Sequence, residues 1–272
     1  MKCDLHLHTT CSDGTLTPEQ LVDRQIENEM HCIAISDHDT VQGVQRAIDH
    51  AKGKIQILPC VELSSYEGNT DVHILAFNVD YKNPQFLKEM EIVADYRNQR
   101  NVALAQCLCD LGIDFDLEEL KKSKAGNTVG RADFAKKLVE MGVVENESQA
   151  FEKYLGTNGK CFVRTKRLSP AEAIKLVLKY GGIPVLAHPK LLRMTKPQFE
   201  KYLLALYKAG LGGIEAEYFS HTYFERKYYT KLAKKYSMVV TGGSDFHDGK
   251  HGIDLGKSFS PMPYTKKVLG IK

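Results

Sequence analysis

Residues 3–14 read CDLHLHTTCSDG, and the way this stretch is parsed decides the fold. It opens as a short apolar run of strand length that carries His6 and His8 two positions apart. On a strand, residues two apart point to the same face. The run then breaks into a polar turn holding Asp13 and closing at Gly14. The unit is therefore a strand whose end delivers imidazoles and a carboxylate to one place.

Working outward, the same pattern recurs. Strand-length apolar runs are expected at Cys3–His8, Cys32–Ser36, Ile57–Glu62, His73–Val79, Ile183–Ala187, Gly213–Glu217 and Met238–Gly242, about seven in all. Amphipathic stretches of helix length separate most of them, which is the signature of βα units and a mainly parallel sheet. Helix starts are marked locally. Thr17-Pro18-Glu19-Gln20 combines a capping threonine, proline at the first position and glutamine at the third, and Ser169-Pro170 repeats the first two signals. Asn83-Pro84 opens a long helix to about Leu111, with Gly112 as its stop.

Between residues 97 and 165 the alternation lapses into helix-like pieces at 129–141 and 146–155, following the helix of 84–111. The predicted organisation is a barrel-type α/β domain, residues 1–96 and 166–272, carrying a helical insertion or cap at 97–165.

Composition limits the function classes. The 272 residues are 43% apolar and 26% charged, an ordinary globular balance, and the net charge of +3 offers no footprint for duplex DNA. The start MKCDLHLH lacks an apolar signal region, and no apolar run is long enough for a membrane span, so a cytoplasmic location is expected. Seven scattered cysteines without a CxxC pair predict small buried hydrophobes rather than disulfides or a thiolate metal site.

The other chemistry-bearing residues fall where His6 and His8 do. His38 follows CIAIS within SDHD, Glu62 ends LPCVE, His188 follows IPVLA, and Asp245 and His247 follow MVVTGGS, again two apart. In parallel barrels the C-terminal strand ends open on one face, where these side chains would meet. His73 is the exception, because it begins its strand; either that strand runs against the others or the barrel is distorted there. A lone histidine beside an apolar run is usually structural. Nine such residues, His6, His8, Asp13, His38, Glu62, His73, His188, Asp245 and His247, are costly to collect unless they bind metal. Imidazole and carboxylate without thiolate suit Mn, Fe or Zn, and the number of donors exceeds what one tetrahedral ion needs, fitting two or three divalent ions with open positions.

DLHLHTTCSDG, SDHD, the isolated Glu62, VHIL, LAHP and GSDFH together resemble the polymerase and histidinol phosphatase (PHP) superfamily over roughly residues 1–80 and 165–250. The resemblance implies a distorted (β/α)7 barrel. It also implies a trinuclear site: His6, His8, Glu62 and Asp245 on one ion, Glu62 bridging to a second held by His73 and His188, and Asp13, His38 and His247 on the third. GRADFAKKLVEMGVV, AFEKYLG and RLSPAEAI are similar to a bacterial branch acting on nucleotides. That branch commonly reads GRPHFA, whereas this chain has Ala132 and Asp133.

The resemblance implies a hydrolase that cleaves phosphate monoesters of nucleotides, such as nucleoside 3',5'-bisphosphates or AMP, or trims the 5' end of short single-stranded RNA. The nucleophile would be a metal-bridging hydroxide, since bound divalent ions lower the pKa of water from 15.7 to about 7. Arg131, with Arg164 and Lys160, are the candidate substrate contacts, the planar guanidinium suiting phosphate. His221 is a candidate for touching substrate or protonating the leaving oxygen, and Tyr154, Tyr218 and Phe219 for stacking on a base. Lys234-Lys235 reads as an exposed helix face. Histidinol-phosphate phosphatase is the alternative in the same chemistry, and a non-catalytic metal-binding module the remote one.

Overall fold

The computed structural model describes residues 1–68, 70–122, 129–163, 167–249 and 257–272. Among these, eight strands form two sheets. The smaller contains β1 (Cys3–Leu7), β2 (Cys32–Ile35) and β3 (Gln56–Pro59), all parallel. The larger is ordered β4 (Glu62–Glu67), β5 (Thr70–Phe77), β6 (Ile183–Leu186), β7 (Gly213–Tyr218) and β8 (Val239–Gly243). Within it β5 runs antiparallel to both β4 and β6, while β6, β7 and β8 are parallel.

The strand count corrects the sequence reading. Ile57–Glu62 is two strands: Pro59 ends β3 and Glu62 starts β4, with the buried Cys60 and Val61 carrying the apolar run across the break. β4, ELSSYE, is too polar to announce itself, and it is held by pairing along its whole length with β5. Of the two explanations for His73, the first holds, because β5 is the reversed strand.

The two sheets touch through single bridges at both edges. Leu7 bridges Phe246 beyond β8, with Asp245 N donating to His6 O at 2.9 Å, and His38 bridges Glu62 beside a 3.2 Å bond from Glu62 N to Asp37 O. The close approach of β8 to β1 requires Gly243, where a Cβ would lie 2.4 Å from that of His6.

Helix α2 (Gln42–Ala51) packs on β2 and β3 of the smaller sheet, and α1 (Pro18–Glu27) packs on α2. The predicted Thr17 capping box is present at α1. α3 (Pro84–Asp110) begins at the Asn83 cap and stops before Gly112, whose φ of +80° suits glycine. α4 (Leu117–Lys122), which the sequence reading missed, α5 (Arg131–Glu140), α6 (Glu147–Ala150) and a π-helical turn at Phe151–Leu155 complete the helical segment. These pieces share a core of their own, including Leu104, Leu108, Phe134, Leu138 and Leu155, with Phe115 stacked on Phe134 at 4.8 Å. α7 (Pro170–Lys179), α8 (Lys196–Ala209), α9 (Tyr223–Lys235) and α10 (Pro263–Leu269) follow, with the Ser169 capping box also in place. No helix of the described residues is long and apolar enough to cross a membrane.

The cysteine expectation needs two corrections, the first being that Cys109 is free but exposed on α3 rather than buried. Second, Cys107 on α3 and Cys161 after the π-helical turn form a disulfide, with Cα atoms 5.5 Å apart. Their separation of 54 residues hid a proximity that only the packing of the helical segment creates. Cys3, Cys11, Cys32 and Cys60 are free and buried, as read from their apolar surroundings.

Candidate metal centre

The nine predicted residues converge. β1 presents His6 and His8, both fully buried. The turn bearing Asp13 is pinned by Asp37, whose carboxylate accepts from Thr9 N, Thr9 Oγ1 and Ser12 Oγ at 2.7 Å each. Glu62, at the start of β4, lies at the middle. Its Oε2 is 3.3 Å from His6 Nε2, 3.3 Å from His8 Nε2 and 3.1 Å from His38 Nδ1. Its Oε1 is 2.9 Å from both His73 Nδ1 and His188 Nε2. Asp245 Oδ1 lies 3.3 Å from His6 Nε2 and 3.2 Å from His8 Nε2, and Asp13 Oδ1 lies 3.3 Å from His247 Nε2. His188 and Asp245 adopt positive φ, 27° and 53°, where their strands give way to loops; such backbone strain persists only where surrounding structure enforces it.

Three overlapping groups have donor atoms within 4.8 Å of one another: His6, His8, Glu62 and Asp245; His8, Asp13, His38 and His247; and His38, Glu62 and His73. The first is the set the resemblance implied. In the other two, His8 and His38 lie closer to neighbouring groups than that partition supposed, while His188 reaches the cluster through Glu62.

Whether these residues suit metal ions is testable from their bonding. His6 Nε2, both ring nitrogens of His8, His38 Nδ1 and Asp13 Oδ1 are buried without a hydrogen-bond partner among the described residues. Buried polar atoms are rarely left so. Donors aimed at one another without hydrogen bonds are what a site for cations requires, so the residues fit. Burial would raise the Glu62 pKa, but the imidazoles of His38, His73 and His6 outweigh it and hold the carboxyl well below its usual range.

Supporting groups orient these donors. Glu215, wholly buried, pairs with His6 Nδ1 at 2.9 Å and accepts from His188 N at 2.7 Å. Tyr218 OH donates to Asp245 Oδ2 at 2.9 Å; burial, then Asp245 and Glu215, push its pKa up, so it stays a donor.

Beside the cluster opens a pocket of ≈ 350 Å³, within the usual range of small-ligand sites of about 300–1,000 Å³. Its lining includes Asp13, His38, His73, Asp245 and His247 from the cluster, the guanidinium groups of Arg97, Arg100, Arg131 and Arg167, and the carboxylates of Asp71, Glu147 and Asp248. Arg97 is paired with Asp39, and Arg131 with Asp71 and with Tyr66 OH. Arg167 sits over the Tyr66 ring at 4.1 Å. Arg100 is different: 6% exposed, it bonds only the neutral Asn101 Oδ1 and Val129 O and forms no ion pair among the described residues. Burial, then the charges of Arg97, Arg131 and Arg167, push its pKa well below the ordinary value. A guanidinium keeps its proton in proteins, so this field is one that an anion would relieve. The N-terminus of α5 contributes Gly130, Arg131 and Ala132 to the same lining, a favourable place for phosphate.

Residues 4–102 match the family described as PHP domain. A 5'-3' exoribonuclease of Haemophilus influenzae is 33% identical over 258 residues, covering 94% of this chain and 94% of that protein. The chain belongs to the PHP family. This PHP protein is also 29% identical to a 3',5'-nucleoside bisphosphate phosphatase of Chromobacterium violaceum, over 97% of its own length and 94% of that protein. A solved structure of an amidohydrolase from Chromobacterium violaceum, with bound sulfate and no metal, superimposes with a TM-score of 0.89 at 27% identity, covering 99% of this chain and 96% of that one. A solved structure described as a metal-dependent phosphoesterase from Bifidobacterium adolescentis superimposes with a TM-score of 0.85 at 27% identity, covering 98% of this chain and 95% of that one. The PHP protein is an enzyme, a metal-dependent hydrolase of phosphoric esters.

The remaining predicted contacts divide. Arg131 lines the pocket. Lys160 is exposed and does not, and Arg164 lies outside the described residues. His221 is buried behind Tyr218, its Nδ1 bonded to Ala216 O at 2.9 Å, rather than facing the pocket. Asp133, in place of the branch's histidine, accepts from Gly130 N at 2.7 Å and so caps α5 instead of entering the pocket. Sequence reasoning missed Arg97, Arg100, Arg167 and Glu215. The first two were legible only as a three-residue spacing on one helix face, and Glu215 looked like one more strand residue.

Proposed function

We propose that this PHP protein hydrolyses the phosphate ester on the 3' side of a nucleotide whose 5'-phosphate rests among the pocket arginines. The substrate would be a nucleoside 3',5'-bisphosphate or the 5' end of short single-stranded RNA, with AMP a poorer one. The observation that supports this reading is Arg100, a buried cation with no ion pair among the described residues, in a pocket also lined by Asp13, His38, His73, Asp245 and His247 of the donor cluster. In this reading the pocket takes one phosphate at the donor cluster and a second among the arginines, and a substrate with a single phosphate uses only one of these places.

In this reading His6, His8, Glu62 and Asp245 hold one divalent ion, Glu62, His73 and His188 a second, and Asp13, His38 and His247 a third, with Mn, Fe or Zn as the candidates. Such ions, when bound, supply water of lowered pKa and neutralise phosphoryl charge. The chain's own part is positional. Arg100, Arg131 and the α5 N-terminus grip the non-reacting phosphate, Glu215 and Tyr218 orient His6 and Asp245, and the helical insertion of residues 97–165 covers the site as a cap. The two sheets, bridged at both edges, act together as a distorted barrel, located in the cytoplasm where nucleotides turn over.

The test is hydrolysis by manganese-loaded protein, read as inorganic phosphate released from adenosine 3',5'-bisphosphate, AMP and histidinol phosphate and as mononucleotide released from a 5'-phosphorylated dinucleotide. Bisphosphate and dinucleotide should exceed AMP in kcat/KM by at least about tenfold, since charge-assisted phosphate contacts contribute about 1.5–3 kcal/mol each. A preference for histidinol phosphate would overturn the nucleotide reading.

A further inference from the structure

We propose that the outer face of α9 is a docking track for the single-stranded RNA that continues beyond the reacting ester. The inference rests on the function proposed above and narrows it toward oligonucleotides. α9 leaves β7, whose last residue, Tyr218, bonds Asp245, so the helix begins at the same end of the sheet as the donor cluster. Its first two residues are aromatic and unburied: Tyr223 is 63% and Phe224 80% exposed, their rings edge to face at 5.7 Å.

From Tyr223 a basic stripe runs down one side of the helix. Lys227, Lys231 and Lys234 follow at four, eight and eleven positions, all exposed. None forms an ion pair among the described residues, and Lys227 Nζ lies 4.4 Å from the centre of the Tyr223 ring. The carboxylates nearby are already engaged. Glu225 bonds Thr222 and Lys190, and Glu217 meets Arg226 at 3.4 Å. The thirteen residues of α9 span about 20 Å, more than a mononucleotide can use.

Aromatic platforms joined to a line of cations are the chemistry that holds single strands, since every base has a face to stack and every linkage a charge. The geometry also fits the direction of the chain. The arginine pocket lies against Tyr66 and Asp71, on the β4 and β5 side of the donor cluster, whereas α9 departs from β7. An RNA anchored by its 5'-phosphate among the arginines would place an ester at the cluster and send its 3' remainder toward α9. The pattern was half visible in the sequence, where Lys234 and Lys235 read as an ordinary solvated face.

The experiment compares kcat/KM for 5'-phosphorylated oligoadenylates of two lengths, a dinucleotide and an octanucleotide, on the metal-loaded full chain. The octanucleotide should be preferred. The triple variant Lys227→Glu, Lys231→Glu, Lys234→Glu should lower the octanucleotide-to-dinucleotide ratio at least about fivefold and flatten its salt dependence. Tyr223→Ala with Phe224→Ala should lower the same ratio while keeping the salt slope. Because the readout is a ratio within each variant, a general loss of folded protein does not imitate it. Equal rates on both lengths, or a ratio unmoved in both variants, overturns the track and leaves the proposed function standing if the bisphosphate is still hydrolysed. Inactivity of the wild-type protein on every nucleotide overturns both. Binding to anionic phosphatidylserine vesicles that disappears in the triple variant, with an unmoved length ratio, would give the face to lipid instead.

Discussion

Glu215 Oε1 lies 2.9 Å from His6 Nδ1, wholly buried, and turns the opposite nitrogen of that imidazole toward Glu62 and Asp245. Such an outer carboxylate fixes tautomer and ring orientation. Its second oxygen accepts from His188 N, so one side chain steadies two candidate ligands. Glu215→Gln should weaken metal retention by about 10–100-fold, read as metal content after dialysis against graded chelator. Unchanged retention would show that His6 is held by packing alone.

Glu62 faces five imidazoles from one buried position. Glu62→Gln should therefore reduce bound metal and depress kcat by at least about a hundredfold, because it withdraws charge from several donors at once. Metal analysis alongside turnover checks this; full occupancy would remove Glu62 from the ligand set.

Arg100 makes opposite predictions for stability and binding. Arg100→Met should raise Tm in phosphate-free buffer, since it removes a buried cation without a carboxylate. The same variant should raise KM for adenosine 3',5'-bisphosphate about tenfold or more while leaving metal content intact. A fall in Tm without a change in KM would make Arg100 a structural residue.

The acid limb of stability has one identifiable contributor outside the centre. Glu225 is lowered from 4.5 to about 2, first by the backbone bond from Thr222 and then by Lys190. A carboxylate depressed on folding contributes stability that is complete above the unfolded pKa and lost as pH falls through the folded one. Glu225→Gln should therefore be less stable than wild type above about pH 4.5, with the two converging toward pH 2. Parallel denaturation curves across that window would contradict the assignment.

The Cys107–Cys161 link closes a loop of 54 residues. Chain-entropy arguments put such a closure at roughly 2–4 kcal/mol. Adding a reductant, or comparing Cys161→Ser with the oxidised wild type, should lower the stability of the helical segment by that order in thermal melts. No difference between reduced and oxidised protein would mean the helices hold that core unaided.

Much of this was legible along the chain because it is local. The Thr17 and Ser169 caps, the start of α3 at Asn83 and its stop before Gly112 depend on a few consecutive residues. The nine donors could be picked out because each sits where an apolar run ends, and strand periodicity alone puts His6 beside His8. Tertiary structure decided what depends on non-local pairing. β4 exists because β5 pairs with it, Cys107 meets Cys161 because helices fold between them, and Asp133 is a cap because Gly130 N needs an acceptor. Of the pocket arginines only Arg131 was picked out along the chain; that Arg97, Arg100 and Arg167 join it was not legible, since they come from α3 and from the return to the larger sheet. A charge's surroundings are set by every element packed against it, and only the assembled fold brings Arg100 among three other guanidinium groups with no ion pair of its own among the described residues.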